Sequence, residues 1–305
     1  MACQRFLVRH IRVKYTKIDK EVGIMETRII TPELTAEFEQ QLAREELAEG
    51  TVQKYRRDIT AFAAWTQGAE ITKEVAAGWK EYLSARGLAP ATVNSMLAVV
   101  NHFFKFMGWH DCTVKFLKLQ RRLFRDRSRE LTQPEFRRLV ETAQATGRPR
   151  LALLLETLAA TGIRVSEVKY ITVESARRGR AEIALKGKIR TILLPEKLCR
   201  KLLKYAKKHK TASGEIFLAK SGRSLNRKQI WAEMKRLCAA AGVAATKVFP
   251  HNLRHLFATA FYKAYKDIAK LADILGHSSV ETTRIYLVST GEEHLRQLDQ
   301  LGLVR

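Results

Sequence analysis

At 305 residues the chain exceeds a typical single domain, so two domains, each able to bury its own core, are expected. Its 55 Lys and Arg against 31 Asp and Glu leave a net charge of +24, which implies a polyanionic partner, most simply nucleic acid, bound with salt-sensitive affinity. No apolar run approaches the roughly eighteen residues of a membrane helix, and charge is spread through the N-terminus, so neither a membrane span nor a secretory signal is expected and the cytoplasm is the expected location.

Residues 1–30 are basic without a sustained period and read as an N-terminal arm, or as an extension ahead of a start at Met25. From Thr31 the apolar spacing turns helical. The stretch TPELTAEFEQQLAREELAEG predicts a helix closed at Gly50, and Thr51 caps a second helix in which Val52, Tyr55, Ile59, Phe62 and Trp65 share one face. TKEVAAGWKEYLSARG forms a third helix and ATVNSMLAVVNHFFKFMGW, after LAP, a fourth. No strand-like alternation interrupts them, so residues 31–116 are expected to be an all-helical domain of four or five helices. LKLQRRLFRDRSRE, residues 117–130, is a dense basic run without an apolar stripe; it reads as an interdomain linker, lying against phosphates or simply solvated.

Residues 131–305 form the second expected domain. LTQPEFRRLVETAQ begins a helix with Pro134 in its first turn, and RLALLLETLAATG is a core helix stopped by Gly162. AEIALKGKIRTILLP reads as a β-hairpin turning at Lys186, Gly187 and Lys188, after which helices resume. Near the end, DIAKLADILG has the apolar spacing of a helix closed at Gly276. Ser278 and Glu281 make a capping-box pattern opening another helix, with Tyr286 in its second or third turn and His277 in the elbow. By itself this histidine and tyrosine pair is ordinary packing.

Cys3, Cys112, Cys199 and Cys238 stand apart and are read as reduced and mostly buried. The eight histidines lack the spacing of a metal site and there is no glycine-rich phosphate loop, so neither a metal nor a nucleotide cofactor is expected. What remains is a set of cations at turns and helix starts. Arg164 lies two residues past the helix-ending Gly162; Pro250 opens a helix on which His251 and Arg254, three apart, share a face near the positive end; the hairpin adds a lysine.

The motifs TGIRVSE, a hairpin KG, HNLRH, and LGH with tyrosine nine residues on resemble, in order and spacing, the catalytic signature of the tyrosine recombinase or phage integrase family, especially its Xer-like and mobile-element members. The likeness covers about residues 131–290 and, more loosely, 31–115, where TVQKYRRDITAFAAW and ATVNSMLAVVNHFFKF look like the family's core-binding helices. It implies a mainly α protein with a small β-hairpin: a helical core-binding domain plus a mixed α/β catalytic domain, forming a C-shaped clamp on double-stranded DNA. It also implies a homotetramer working on two duplexes through a Holliday junction.

Attack on a DNA phosphodiester builds negative charge on the non-bridging oxygens, which fixed cations can meet without a metal. By resemblance Arg164 and Arg254 are the phosphate clamps, their planar guanidiniums suited to phosphate oxygens. Tyr286 is the nucleophile, His251 the acid/base and His277 a further phosphate donor. The hairpin lysine protonates the leaving 5′-hydroxyl; Lys186 is chosen, with Lys188 the alternative because the segment to Pro195 departs from the family spacing. Glu167 buttresses Arg164 or merely caps a helix, and His255 is assigned to packing. The tail EEHLRQLDQLGL carries leucines at 295, 298 and 301 that in relatives dock on a neighbouring protomer; the alternative is packing on their own domain. A type IB topoisomerase and a non-catalytic DNA binder are the competing functions.

Overall fold

The computed structural model describes residues 27–119, 127–185, 188–219, 221–277, 279–284, 286, 295–296 and 298–302. The expected N-terminal arm up to residue 26, residues 120–126 of the linker and the hairpin tip Lys186–Gly187 lie outside the described residues, as does Cys3. The chain forms two compact units, Met1–Arg121 and Arg122–Arg305. The described residues are mainly helical, with one two-stranded sheet among them.

The first unit comprises α1 (Pro32–Arg44), α2 (Glu49–Thr66), α3 (Lys73–Ala85), α4 (Pro90–Phe106) and a 3-10 turn, His110–Cys112. Thr31 and Thr72 accept hydrogen bonds from the backbone of Leu34 and Val75, capping α1 and α3. Phe38, Phe62, Leu97, Phe103 and Phe104 are fully buried at the centre. Two boundaries differ from the sequence reading. α1 stops at Arg44 rather than Gly50: Glu46 turns left-handed (φ 54), and the Leu47 amide returns to the Leu42 carbonyl. This closure needs no glycine, because it lets Leu47 pack against the core. α2 then starts at Glu49 with Ala48 as its cap, so Thr51 lies inside the first turn.

The second unit is built around α6 (Pro149–Thr161), whose Leu151, Leu154, Leu155 and Leu158 are all but fully buried. Each leucine removed from water in this way stabilises the fold by roughly 1.5–3 kcal/mol. Around it stand α5 (Gln133–Ala145), opened by a reciprocal Thr132 and Glu135 capping box, α8 (Glu196–Lys208) and α10 (Pro250–Tyr265). A 3-10 segment, Val165–Tyr170, leads to α7 (Val173–Arg178) and the hairpin of β1 (Arg180–Leu185) and β2 (Lys188–Leu193). Its antiparallel register sets Leu185 against Lys188 and Ile183 against Arg190. α9 (Arg227–Cys238), α11 (Ile268–Leu275) and α12 (Val280–Arg284) are the remaining described α-helices.

Gly162 is what lets three of these helices meet. It ends α6 at φ 62, and a Cβ there would run into Phe257 of α10 and Leu275 of α11. The chain therefore leaves α6 toward Arg164 with the start of α10 and the end of α11 held against the turn. Cys112, Cys199 and Cys238 are free and buried, and burial pushes each thiol upward. Among the described residues no helix is long and apolar enough to cross a membrane.

Candidate active site

Beyond Gly162 the chain is extended at Arg164 and then tightens into the 3-10 turn, which returns Glu167 to it. The carboxylate, 1% exposed as a residue, accepts the Arg164 backbone N–H at 2.7 Å and its Nη1 at 3.0 Å. Both expected roles of Glu167, buttress and cap, are thus filled at once. The Arg164 side chain stays 45% exposed, with Nη2 3.4 Å from the Gly276 carbonyl.

Arg254, one turn into α10, is only 3% exposed. Its Nη1 donates to the Gly162 carbonyl at 2.5 Å and its Nη2 to that of Leu275 at 2.7 Å. These oxygens end α6 and α11, so a fixed cation sits at the negative ends of two helices. The same Nη2 lies 2.9 Å from His277 Nε2, and Arg254 is also hydrogen-bonded to the Tyr286 side chain.

His277 follows the left-handed Gly276 (φ 63), its amide bonded back to the Ala272 carbonyl, in the elbow where the sequence placed it. Its Nδ1 is 2.8 Å from Oγ1 of the fully buried Thr283. A guanidinium can only donate, so Nε2 accepts and Nδ1 carries the proton toward Thr283. Burial first, and then the charges of Arg254, Arg164 and Arg190, push His277 down to about 4. His251 is lowered too, by burial and by Arg254. Both rings are therefore neutral near pH 7.

Because His277 titrates below its ordinary value of 6.5 in the folded chain, the unfolded chain takes up the proton first. Stability is therefore fully present above about pH 6.5 and falls as the pH drops toward about 4. Melting temperatures measured from pH 7.5 to 4.5 are expected to decline through that window, and His277→Gln to flatten the decline.

Tyr286 is 2% exposed. Its ring centroid lies 6.0 Å from His277, nearly parallel, 6.1 Å from His251 and 5.2 Å from His255, edge-on. The helix before it is shorter than expected: α12 ends at Arg284, and Tyr286 sits in the following turn with its amide on the Thr283 carbonyl. Ser279 supplies an oxygen to the Glu281 amide; Ser278, the expected cap, lies outside the described residues. A cavity of about 340 Å³ opens beside these groups, lined by Arg164, His251 and Arg254 together with Arg227 and Trp231 of α9. Among the described residues no three His, Cys, Asp or Glu side chains converge as metal ligands.

Five of the six expected residues thus converge: Arg164, His251, Arg254, His277 and Tyr286. Lys186 is outside the described residues, and of Lys188 only the backbone, opening β2, is described. The family model described as "Phage integrase family" matches residues 129–293, more than half of the chain, and "Phage integrase, N-terminal SAM-like domain" matches residues 36–110. The chain belongs to the phage integrase family. The tyrosine recombinase XerA of Pyrococcus furiosus is 28% identical over 283 residues, covering 90% of this chain and 95% of that protein. XerD of Brucella melitensis is 31% identical over 279 residues, covering 82% and 90%. The fold matches a lambda integrase tetramer bound to a Holliday junction with a TM-score of 0.69 at 18% identity, over 83% of this chain and 76% of that one.

Two residues that hold the side chains of this site, in addition to Arg227 and Trp231 on its cavity wall, were not named from the sequence. Thr283 fixes the His277 tautomer, and Arg190 grips Glu167 with Nη1 3.0 Å from each carboxylate oxygen. A signal for Arg190 existed. With a two-residue hairpin turn, Arg190 pairs with Ile183 and shares the face of Ala181 and Ile192, all three of these apolar partners buried, so a cation stands on the inward side of a strand. His255, assigned to packing, has the ring nearest Tyr286 of the three histidines.

Proposed function

We propose that this Xer-like tyrosine recombinase cleaves and rejoins double-stranded DNA at specific sites through a 3′-phosphotyrosyl intermediate. The observation that carries the proposal is a buried tyrosine set among three histidine rings and against a buried arginine, with a second arginine and His251 lining the cavity beside them. Arg164 and Arg254 take the non-bridging oxygens of the scissile phosphate, where charge develops during attack. His251, held neutral, accepts the phenol proton as the Tyr286 oxygen bonds to phosphorus. The bond from phosphorus to the 5′-oxygen breaks, and that oxygen takes a proton from Lys186, with Lys188 the alternative donor. His277 joins the phosphate in its other tautomer, Nε2–H donating to a non-bridging oxygen while Nδ1 accepts from the Thr283 hydroxyl. The phosphotyrosyl bond conserves the energy of the broken linkage, so a 5′-hydroxyl from another strand reverses the steps without ATP.

The lambda integrase with this fold is described as a tetramer on a Holliday junction. We assign the same assembly here, four subunits on two duplexes. Leu295, Leu298 and Leu301 support it, since they are all exposed and could seat on a neighbouring subunit. The strongly positive chain suits a partner with one charge per phosphate.

The test uses duplex sites enriched from a random library by binding to the full-length protein. Two fragments of different length carrying an enriched site, incubated with the protein and no nucleotide, are expected to yield exchanged fragments of new length. Relaxed circles without exchanged ends would establish topoisomerase activity instead, and binding without any strand breakage would leave a DNA-binding protein.

A further inference from the structure

We propose that Arg190 is a positioning residue of the recombination reaction, holding Glu167 so that Arg164 keeps its outer edge for the scissile phosphate. The inference rests on the functional reading above and adds to it a residue outside the six of the catalytic signature.

Arg190 lies mid-strand on β2, with a side chain only 13% exposed. Nη1 bridges both oxygens of Glu167, and Nη2 donates to the Ile274 carbonyl at 2.8 Å. One side chain thereby joins the hairpin, the 3-10 turn of Arg164 and the last turn of α11. Its Nε is also buried and finds no partner among the described residues. Arg190 is pressed against the turn that carries His277 as well, since a Cβ on Gly276 would collide with its side chain.

For stability alone this is a poor arrangement. Arg164 and Arg190 share a single carboxylate with Arg254 close enough to repel both, burial disfavours the charge of Arg190, and an apolar side chain would suit the inward face of β2 at least as well. Its value lies in what it does to Glu167. An unshared carboxylate would draw Arg164 into a two-pronged ion pair and occupy the edge that faces phosphate. With Arg190 bridging both oxygens, Arg164 gives Glu167 one Nη1 contact and its backbone N–H, and the rest of the guanidinium remains half exposed.

The experiment compares wild type, Arg190→Met, Arg190→Lys, Glu167→Gln and the Arg190→Met/Glu167→Gln double variant. Single-turnover cleavage of a nicked duplex, DNA affinity and melting temperature are measured for each. Arg190→Met is expected to cleave about a hundredfold more slowly while binding DNA within about twofold of wild type. Arg190→Lys, which keeps the charge but not the fork, is expected to fall between them. The double variant is expected to be no slower than the slower single variant, because both changes act through one carboxylate. Wild-type cleavage by Arg190→Met, additive losses in the double variant, or unfolding of both Arg190 variants would overturn the proposal. If the wild-type protein itself makes no covalent complex, the functional reading fails instead.

Discussion

Tyr286→Phe is expected to abolish the covalent protein–DNA complex that the wild-type protein forms on a nicked duplex, a loss on the order of 10⁴-fold or more, with DNA affinity within about twofold. The change removes one oxygen and nothing else. The ring is buried among three imidazoles, and phenylalanine fills the same space. Arg254 loses one partner but keeps the Gly162 and Leu275 carbonyls, so the cost in stability is about 1 kcal/mol. Denaturing gels of the trapped complex, beside binding isotherms for the same duplex, separate chemistry from recognition. A merely cationic DNA binder would show the same binding in both proteins and no complex in either.

Arg254→Ala is expected to act on both the fold and the chemistry. Two helix-terminal carbonyls lose their donor in a buried setting, which costs about 3 kcal/mol and lowers the melting temperature. The His277 ring loses the group that faces its Nε2, and the phosphate loses its buried cation; cleavage should fall by about 10³-fold. Arg254→Lys separates the two effects. A lysine keeps the charge but cannot reach both carbonyls and the phosphate as a planar fork, so it should regain part of the stability and little of the rate. Melting curves and single-turnover cleavage of both variants provide the check.

What could be read from the sequence was local. Gly162 and Gly276 close helices wherever they fold, Pro134 stands in a first turn, and two neighbouring apolar runs pair as a hairpin; each depends on neighbours a few residues away. The order of Arg164, His251, Arg254, His277 and Tyr286 was legible for a different reason, since the resemblance supplied the pairing across distant segments that periodicity cannot. Features set by tertiary contact were not legible. α1 closes at Arg44 because Leu47 turns into the core, although Gly50 is the stronger local stop signal. Tyr286 lies in a turn rather than a helix because α12 ends two residues earlier, and that turn sets its side chain beside Arg254 and His277. Arg190 was missed because its meaning depends on strand register and on a carboxylate 23 residues away in the chain.

The shared carboxylate also explains how so many positive groups coexist. Arg164 and Arg190 divide Glu167, while Arg254 rests on the oxygens of two helix ends. Unneutralised positive charge is thus directed at the place a phosphate would occupy, and the two nearby imidazoles are lowered by burial first and by this charge second.

The proposed reaction turns on a single bond, between the phenol oxygen of residue 286 and a DNA phosphorus. Digesting the trapped complex with nuclease and trypsin should release the peptide of residues 285–296, cut after Arg284 and after Arg296, and mass spectrometry reads it directly. This peptide is expected to carry a nucleotide joined through its 3′-phosphate, with fragmentation placing the added mass on Tyr286. A nucleotide found on any other peptide, or joined through its 5′-phosphate, would contradict it.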